Sequence, residues 1–128
     1  MIHGVVAAAL TPLRDGGTAV DPDSVEGYVD FLVAGGVDGV FALGSTGEGV
    51  LLEPGERRLM AERFREATAG RVALAVHAGA MSTPATAALA EHAASIGADA
   101  VVVIAPPYYP YTADGLSIFV GFEPLMPA

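Results

Sequence analysis

Four short apolar runs, Val5–Leu10, Gly39–Leu43, Val72–Val76 and Ala100–Ile104, alternate along this chain with segments whose apolar residues recur at helical spacing. The runs are nearly continuous in apolar residues, the pattern of parallel strands covered on both faces. Between the first two, Val25, Tyr28, Val29, Leu32 and Val33 form one stripe. It opens at Asp21 with Pro22 in its first turn and stops at Gly35-Gly36. Leu59, Met60, Phe64 and Ala67 form a second stripe, opened by Pro54 and closed by Gly70. A third, of Ala85, Ala88, Leu89, Ala93 and Ile96, starts at Thr83-Pro84 and ends at Gly97. A fourth helix is predicted from about Thr112, with Leu116, Phe119 and Val120 on its apolar face, before an atypical tail, GFEPLMPA, over residues 121–128.

An internal echo links two of these units. GGVDGVFAL from Gly35 and IGADAVVVI from Ile96 both run from a helix stop into a strand. Successive βα connections of this kind predict a parallel α/β architecture in one domain over residues 1–128. About four βα units make half of a TIM (β/α)8 barrel, a fold that runs to about 250 residues. A flavodoxin-like open sheet is the rival, and it usually needs a fifth strand.

Composition narrows the function classes. A chain that is 52% hydrophobic, with net charge −9, folds around a core and repels phosphate backbones and anionic lipid. Nucleic acid and membrane surfaces are therefore not expected partners, and a cytoplasmic soluble protein is. The uncharged stretch from Val72 to Ala90 is broken by His77, Ser82, Thr83 and Pro84, which fits strand, turn and helix better than a membrane span. Cysteine is absent, which excludes disulfides and thiolate chemistry. All six basic residues are arginines (14, 57, 58, 63, 65 and 71), so the α-amino group of Met1 is the sole primary amine of these 128 residues.

In either architecture chemistry gathers at the carboxyl ends of strands. The second strand ends in GSTGEG, Gly44 to Gly49. It lacks the spacing and the lysine of a P-loop, and the G-x-G-x-x-G geometry of a dinucleotide site. Backbone amides and two hydroxyls remain, suited to a small anion such as a carboxylate, or to a plain strand-to-helix turn. The fourth strand ends in APPYYPY, where Tyr108 and Tyr109 read either as packing residues or as proton-passing phenols. His3, His77 and His92 lack the spacing of a metal site, and His77, at a strand end, reads as a structural histidine in preference to a residue supporting a site from behind. Arg57, Arg58, Arg63 and Arg65 read as the solvated face of the second helix, paired with Glu53, Glu56, Glu62 and Glu66.

Taken in order, GVVAAALTPLRDGGTAVD, GGVDGVFALGSTGEGVLLEPGERR and IGADAVVVIAPPYY resemble the dihydrodipicolinate synthase / N-acetylneuraminate lyase family, over about residues 4 to 120. The resemblance implies a barrel lineage and a class I aldolase or lyase. Such an enzyme binds pyruvate or a related 2-oxo acid as a Schiff base on a lysine and needs no cofactor. It further implies that Thr46 and the Gly47 amide hold the oxo-acid carboxylate. Ser45 would belong to a proton relay with tyrosines, and Tyr109 would reach into a neighbouring subunit's relay.

The chain also departs from the family's pattern. The family's Schiff-base lysine lies on the sixth strand and its other key tyrosine follows the fifth, both beyond residue 128. Met81 stands where an asparagine is common, and the tail does not resemble the family's fourth helix. An imine needs a primary amine, and the α-amino group precedes the first strand, at the opposite barrel face from the site. The expectation is the amino-terminal portion of a Schiff-base lyase, inactive alone, as from a truncated gene. The alternatives are a non-catalytic half-barrel serving as an interaction module, or a small-anion binding protein. Unpaired outer strand edges predict a homo-oligomer or a complementing second chain.

Overall fold

The computed structural model describes residues 2–106, 108, 110 and 112–115. Its elements are, in chain order, β1 (Val6–Ala8), a hairpin of β2 (Leu13–Arg14) and β3 (Ala19–Val20), α1 (Val25–Ala34), β4 (Gly39–Ala42), α2 (Pro54–Thr68), β5 (Ala73–His77), α3 (Thr83–Ser95) and β6 (Ala100–Val102). The four long-range strands form one parallel sheet in the order β1-β4-β5-β6. Register runs straight across it, with Ala8 beside Phe41, Phe41 beside Ala75 and Ala75 beside Ala100. Each new strand adds to the same side of the last. A doubly wound sheet reverses its order at a switch point, and this one does not, so the flavodoxin-like alternative falls away.

Alternation along the strands decides what the helices cover. Val40 and Ala42 of β4 join Leu74 and Val76 of β5 in the main core, against Val25 and Val29 of α1 and Met60, Ala61, Phe64 and Ala67 of α2. Phe64, Met60, Leu74 and Val40 are fully buried, each side chain stabilising the fold by roughly 1.5–3 kcal/mol relative to exposure. The opposite sheet face carries smaller groups, Gly39, Ala73 and Ala75, with Phe41 half-buried and Val6 and Ala8 exposed. Burial on both faces, expected from the continuous apolar runs, therefore holds fully on the helical side alone.

The helix ends have local causes. Glu53 and Glu56 form a capping box around Pro54 at the start of α2, and the Ser82 hydroxyl caps α3 by accepting from the Ala85 amide. The first helical stripe begins with a 3-10 turn, Pro22–Ser24, and becomes α-helical at Val25. There Asp21 accepts from the Ser24 hydroxyl and does not cap the helix. The hairpin was not anticipated: its two-residue strands are too short to show a period, although Asp15, Gly16 and Gly17 all take positive φ at its turn. The expected fourth helix begins as a turn at 113–115, with the Thr112 hydroxyl accepting from the Gly115 amide. Its predicted apolar face, Leu116, Phe119 and Val120, and the tail lie outside the described residues.

The sequence echo has a structural counterpart. Asp38 donates its amide to the Val5 carbonyl at 2.8 Å, and its carboxylate accepts the Val5 amide at 2.7 Å. Asp99 does the same to Leu74, at 2.8 and 2.9 Å. Each aspartate thus clamps the start of its own strand to the strand before it, at the amino end of the sheet.

Candidate functional site

Chain direction changes sharply where β4 ends. Leu43 is buried and takes φ 63, and Glu48 takes φ 53 five residues later. A left-handed non-glycine residue costs on the order of 1–3 kcal/mol and persists only when its surroundings over-determine it. Two such residues bracket Gly44–Gly47. Between them the turn closes through Glu48 N–H to Ser45 O at 3.1 Å and Gly49 N–H to Gly44 O at 3.2 Å.

Close approach accounts for the three glycines. A Cβ on Gly44 would sit 2.7 Å from the Phe41 ring, and one on Gly47 would sit 2.9 Å from the Ala9 carbonyl oxygen. On Gly49 it would overlap the Leu43 carbonyl. The Thr11 hydroxyl, from the end of β1, donates to Gly47 O at 2.6 Å and ties the turn to the neighbouring strand. Among the described residues no protein acceptor takes the Thr46 or Gly47 amide, and the Ser45 and Thr46 side chains are exposed. A rigid turn with free amides and hydroxyls is the equipment for an anion. Thr46, Gly47 and Glu48 also wall a cavity of about 200 Å³ with Leu10, Thr11 and the β2–β3 hairpin. That volume suits a small metabolite and is below the usual range for larger ligands.

Behind the turn lies a buried polar pair: His77, read from the sequence as a structural histidine, and Arg57, which that reading placed on a solvated face. Arg57 is 4% exposed, not part of a solvated face. Its guanidinium donates to His77 O at 2.7 Å and Gly79 O at 2.8 Å, fixing the backbone at the end of β5. The signal was present: residues 57, 60, 61, 64, 67 and 68 share one helical face, and all are buried. Leu59, assigned to that stripe, is exposed instead. His77 is 2% exposed and donates from Nδ1 to Leu43 O at 3.2 Å. Its pKa is lowered by burial and by the positive charge of Arg57, while the bond to Leu43 acts the other way. The imidazole is therefore neutral near pH 7, protonated on Nδ1, with Nε2 a buried acceptor that no donor among the described residues meets.

The other arginines of α2 are only partly as expected. Arg63 pairs with Glu66 at 2.8 Å, but Arg65 reaches Asp99 at 3.4 Å and Glu62 meets His92 at 2.9 Å. Of the predicted site residues, Ser45, Thr46 and Gly47 lie together on the turn. Tyr109 lies outside the described residues, and Tyr108 is an exposed residue at the far edge of the sheet. Among the described residues no three His, Asp or Glu side chains gather for a metal, and no helix is long and apolar enough to cross a membrane.

Comparison with known proteins converges on one lineage. The profile of the Dihydrodipicolinate synthetase family matches residues 1–120. The N-acetylneuraminate lyase of Shigella boydii is 39% identical over 111 residues, covering 87% of this chain and 37% of the lyase. The 4-hydroxy-tetrahydrodipicolinate synthase of Methanococcus aeolicus is 36% identical over 115 residues, covering 90% of this chain and 39% of the synthase. In three dimensions, YagE from E. coli K12, solved in complex with pyruvate, superposes with a TM-score of 0.85 at 30% identity, over 92% of this chain and 39% of YagE. The chain thus spans about two fifths of the length of these relatives, and its α/β sheet is part of their TIM barrel.

Proposed function

Because the chain belongs to the dihydrodipicolinate synthetase family, we propose that its Gly44–Gly49 turn is the carboxylate dock of a Schiff-base aldolase or lyase site for pyruvate or a related 2-oxo acid. The observation that carries this reading is the strained, glycine-packed turn with the Thr46 and Gly47 amides free at a strand's carboxyl end. The Thr46 hydroxyl and the Gly47 amide hold the carboxylate, and fixing it sets the position of the adjacent carbonyl carbon. Ser45 starts a proton relay that Tyr109 extends. Both roles rest on the match of GSTGEG and PPYY to the family's motifs. Support also comes from YagE, a relative solved with pyruvate.

Imine formation joins the oxo-acid carbonyl to a primary amine with loss of water, and no lysine occurs in these 128 residues. The α-amino group of Met1 precedes the first strand, at the face opposite the carboxyl ends of the strands, so the amine comes from outside these residues and this chain alone binds the oxo acid without a covalent bond. The sheet is completed by further βα units, from a longer polypeptide, a second copy or a complementing chain.

Titration of the chain with pyruvate, followed by amide NMR, tests the dock. Shifts are expected at Thr46 and Gly47, and Thr46→Val is expected to weaken binding about tenfold, the loss of one hydrogen bond to a charged group. Unchanged affinity in Thr46→Val overturns the assignment. Borohydride reduction with pyruvate is expected to leave the mass unchanged, and a trapped adduct overturns the non-covalent reading.

A further inference from the structure

We infer that His77 is the positioning residue of the dock: its Nδ1–H holds the Leu43 carbonyl, and through the left-handed Leu43 it fixes the Gly44–Gly49 turn. The inference concerns how the turn is held, and its bearing on ligand binding rests on the proposed dock. Leu43 is the last residue before the turn, so its φ of 63 sets the direction in which Ser45, Thr46 and Gly47 project. A buried leucine in that conformation must be held by its neighbours. Two neighbours meet its carbonyl. Gly49 packs against it with no room for a Cβ, and His77 donates to it at 3.2 Å.

The imidazole is itself fixed from three sides. Arg57 anchors the carbonyls of His77 and Gly79, so the histidine backbone is tied to α2. Gly79 lies so close that a Cβ there would sit 2.7 Å from Nε2. Phe41 meets the ring edge-on, with centroids 6.4 Å apart and planes at 85°. Because the acceptor is a carbonyl oxygen, Nδ1 must carry the proton, which fixes the tautomer. A chain of contacts therefore runs from the α2 arginine through the end of β5 to the turn after β4.

Charge strengthens the geometric case. Among the described residues the charged group facing His77 is Arg57 from α2. Strands β4 and β6 bring Phe41 and Val102, and the segment after β5 brings Gly79. An imidazolium formed there would keep its Nδ1–H on Leu43 but would face a guanidinium without a carboxylate, which keeps the ring neutral and the Nδ1–H tautomer in place.

Two amide variants separate positioning from filling. In His77→Asn the side-chain NH2 falls near the position of Nδ1 and can still donate to Leu43. In His77→Gln it falls near Nε2 and cannot. Protection against hydrogen exchange is read at the Glu48 and Gly49 amides, whose bonds close the turn, and at sheet amides of β4 and β5. His77→Gln is expected to lower protection at Glu48 and Gly49 about tenfold, the worth of one hydrogen bond, with the sheet amides little changed. His77→Asn is expected to stay close to wild type.

Equal behaviour of the two variants at the turn overturns the inference, because core filling alone would not distinguish them. If neither variant folds, the wild-type chain decides. Its His77 ring nitrogen shifts are expected to show the proton on Nδ1, with a scalar coupling across the bond to the Leu43 carbonyl, and a ring protonated on Nε2 instead overturns the inference. Pyruvate titration of the same samples keeps the two readings apart. A turn that follows this pattern while wild type binds no pyruvate defeats the dock and leaves the role of His77 standing.

Discussion

Leu43 and its neighbours show how one residue's conformation is maintained by several others. Gly49 has no room for a side chain because the Leu43 carbonyl occupies it. Gly49→Ala is therefore expected to cost about 1–3 kcal/mol through backbone displacement, measured as a lower urea midpoint with an unchanged m value. Gly27 meets nothing within 4 Å of a built Cβ and lies inside α1. Gly27→Ala is expected to stabilise by about 0.4–1 kcal/mol in the same assay. His77 adds a dependence on pH. Its pKa is lowered in the fold below the ordinary 6.5, so between the two values the unfolded chain binds more protons than the folded one. Stability therefore falls as pH drops from about 6.5 toward the lowered value and levels off beneath it. Urea midpoints taken across that window should show the decline in wild type. The decline should be smaller in His77→Asn, which cannot titrate there, and a slope equal in both would remove His77 as its source.

At the scale of elements, the paired aspartates are the clearest repeated device. Asp38 and Asp99 precede β4 and β6 and each bonds twice to the preceding strand. Removing the carboxylate leaves the backbone bond in place, so Asp38→Ala and Asp99→Ala should each cost about 1 kcal/mol, the worth of a partly exposed charge-assisted bond. Thermal melts should show the two losses adding in the double variant, since the sites serve different strand pairs. The repeat of VDG and ADA before a strand was visible in the chain. Its purpose was not, because a carboxylate reaching a strand 33 or 25 residues away leaves no local signature. Strand positions and helix stops were legible for the opposite reason: continuous apolar runs and stops at Gly35, Gly70 and Gly97 are local facts, whereas the face of α2 was read only in part, with Leu59 exposed and Arg57 buried. The residue types of GSTGEG left an anion loop and a plain turn both open, and only the resemblance to the family pointed to the carboxylate reading. The strain at Leu43 and the roles of Arg57 and His77 arise only when β4, β5 and α2 come together.

For the whole molecule, the decisive feature is that the sheet has two edges where its relatives' barrels have none. Strand β1 pairs with β4 and strand β6 with β5, and among the described residues no further strand covers their other sides. Apolar side chains stand near both edges: Val5 is 64% exposed, Val6 38% and Ile104 46%. An exposed apolar edge recruits another chain unless charge or proline blocks it, and the net charge of −9 opposes close approach without blocking the edge itself. The two effects differ in range, since salt screens charge beyond about 8 Å at physiological ionic strength and leaves edge pairing intact. The isolated chain should therefore scatter light as more than a monomer at micromolar concentration, and raising salt should increase the association. Val5→Lys places a charge on the outer approach to β1, close to Asp38, which accepts the amide of residue 5. It should shift the mass toward the monomer while leaving the far-ultraviolet circular dichroism unchanged. A wild-type chain that stays monomeric at high salt would overturn this prediction.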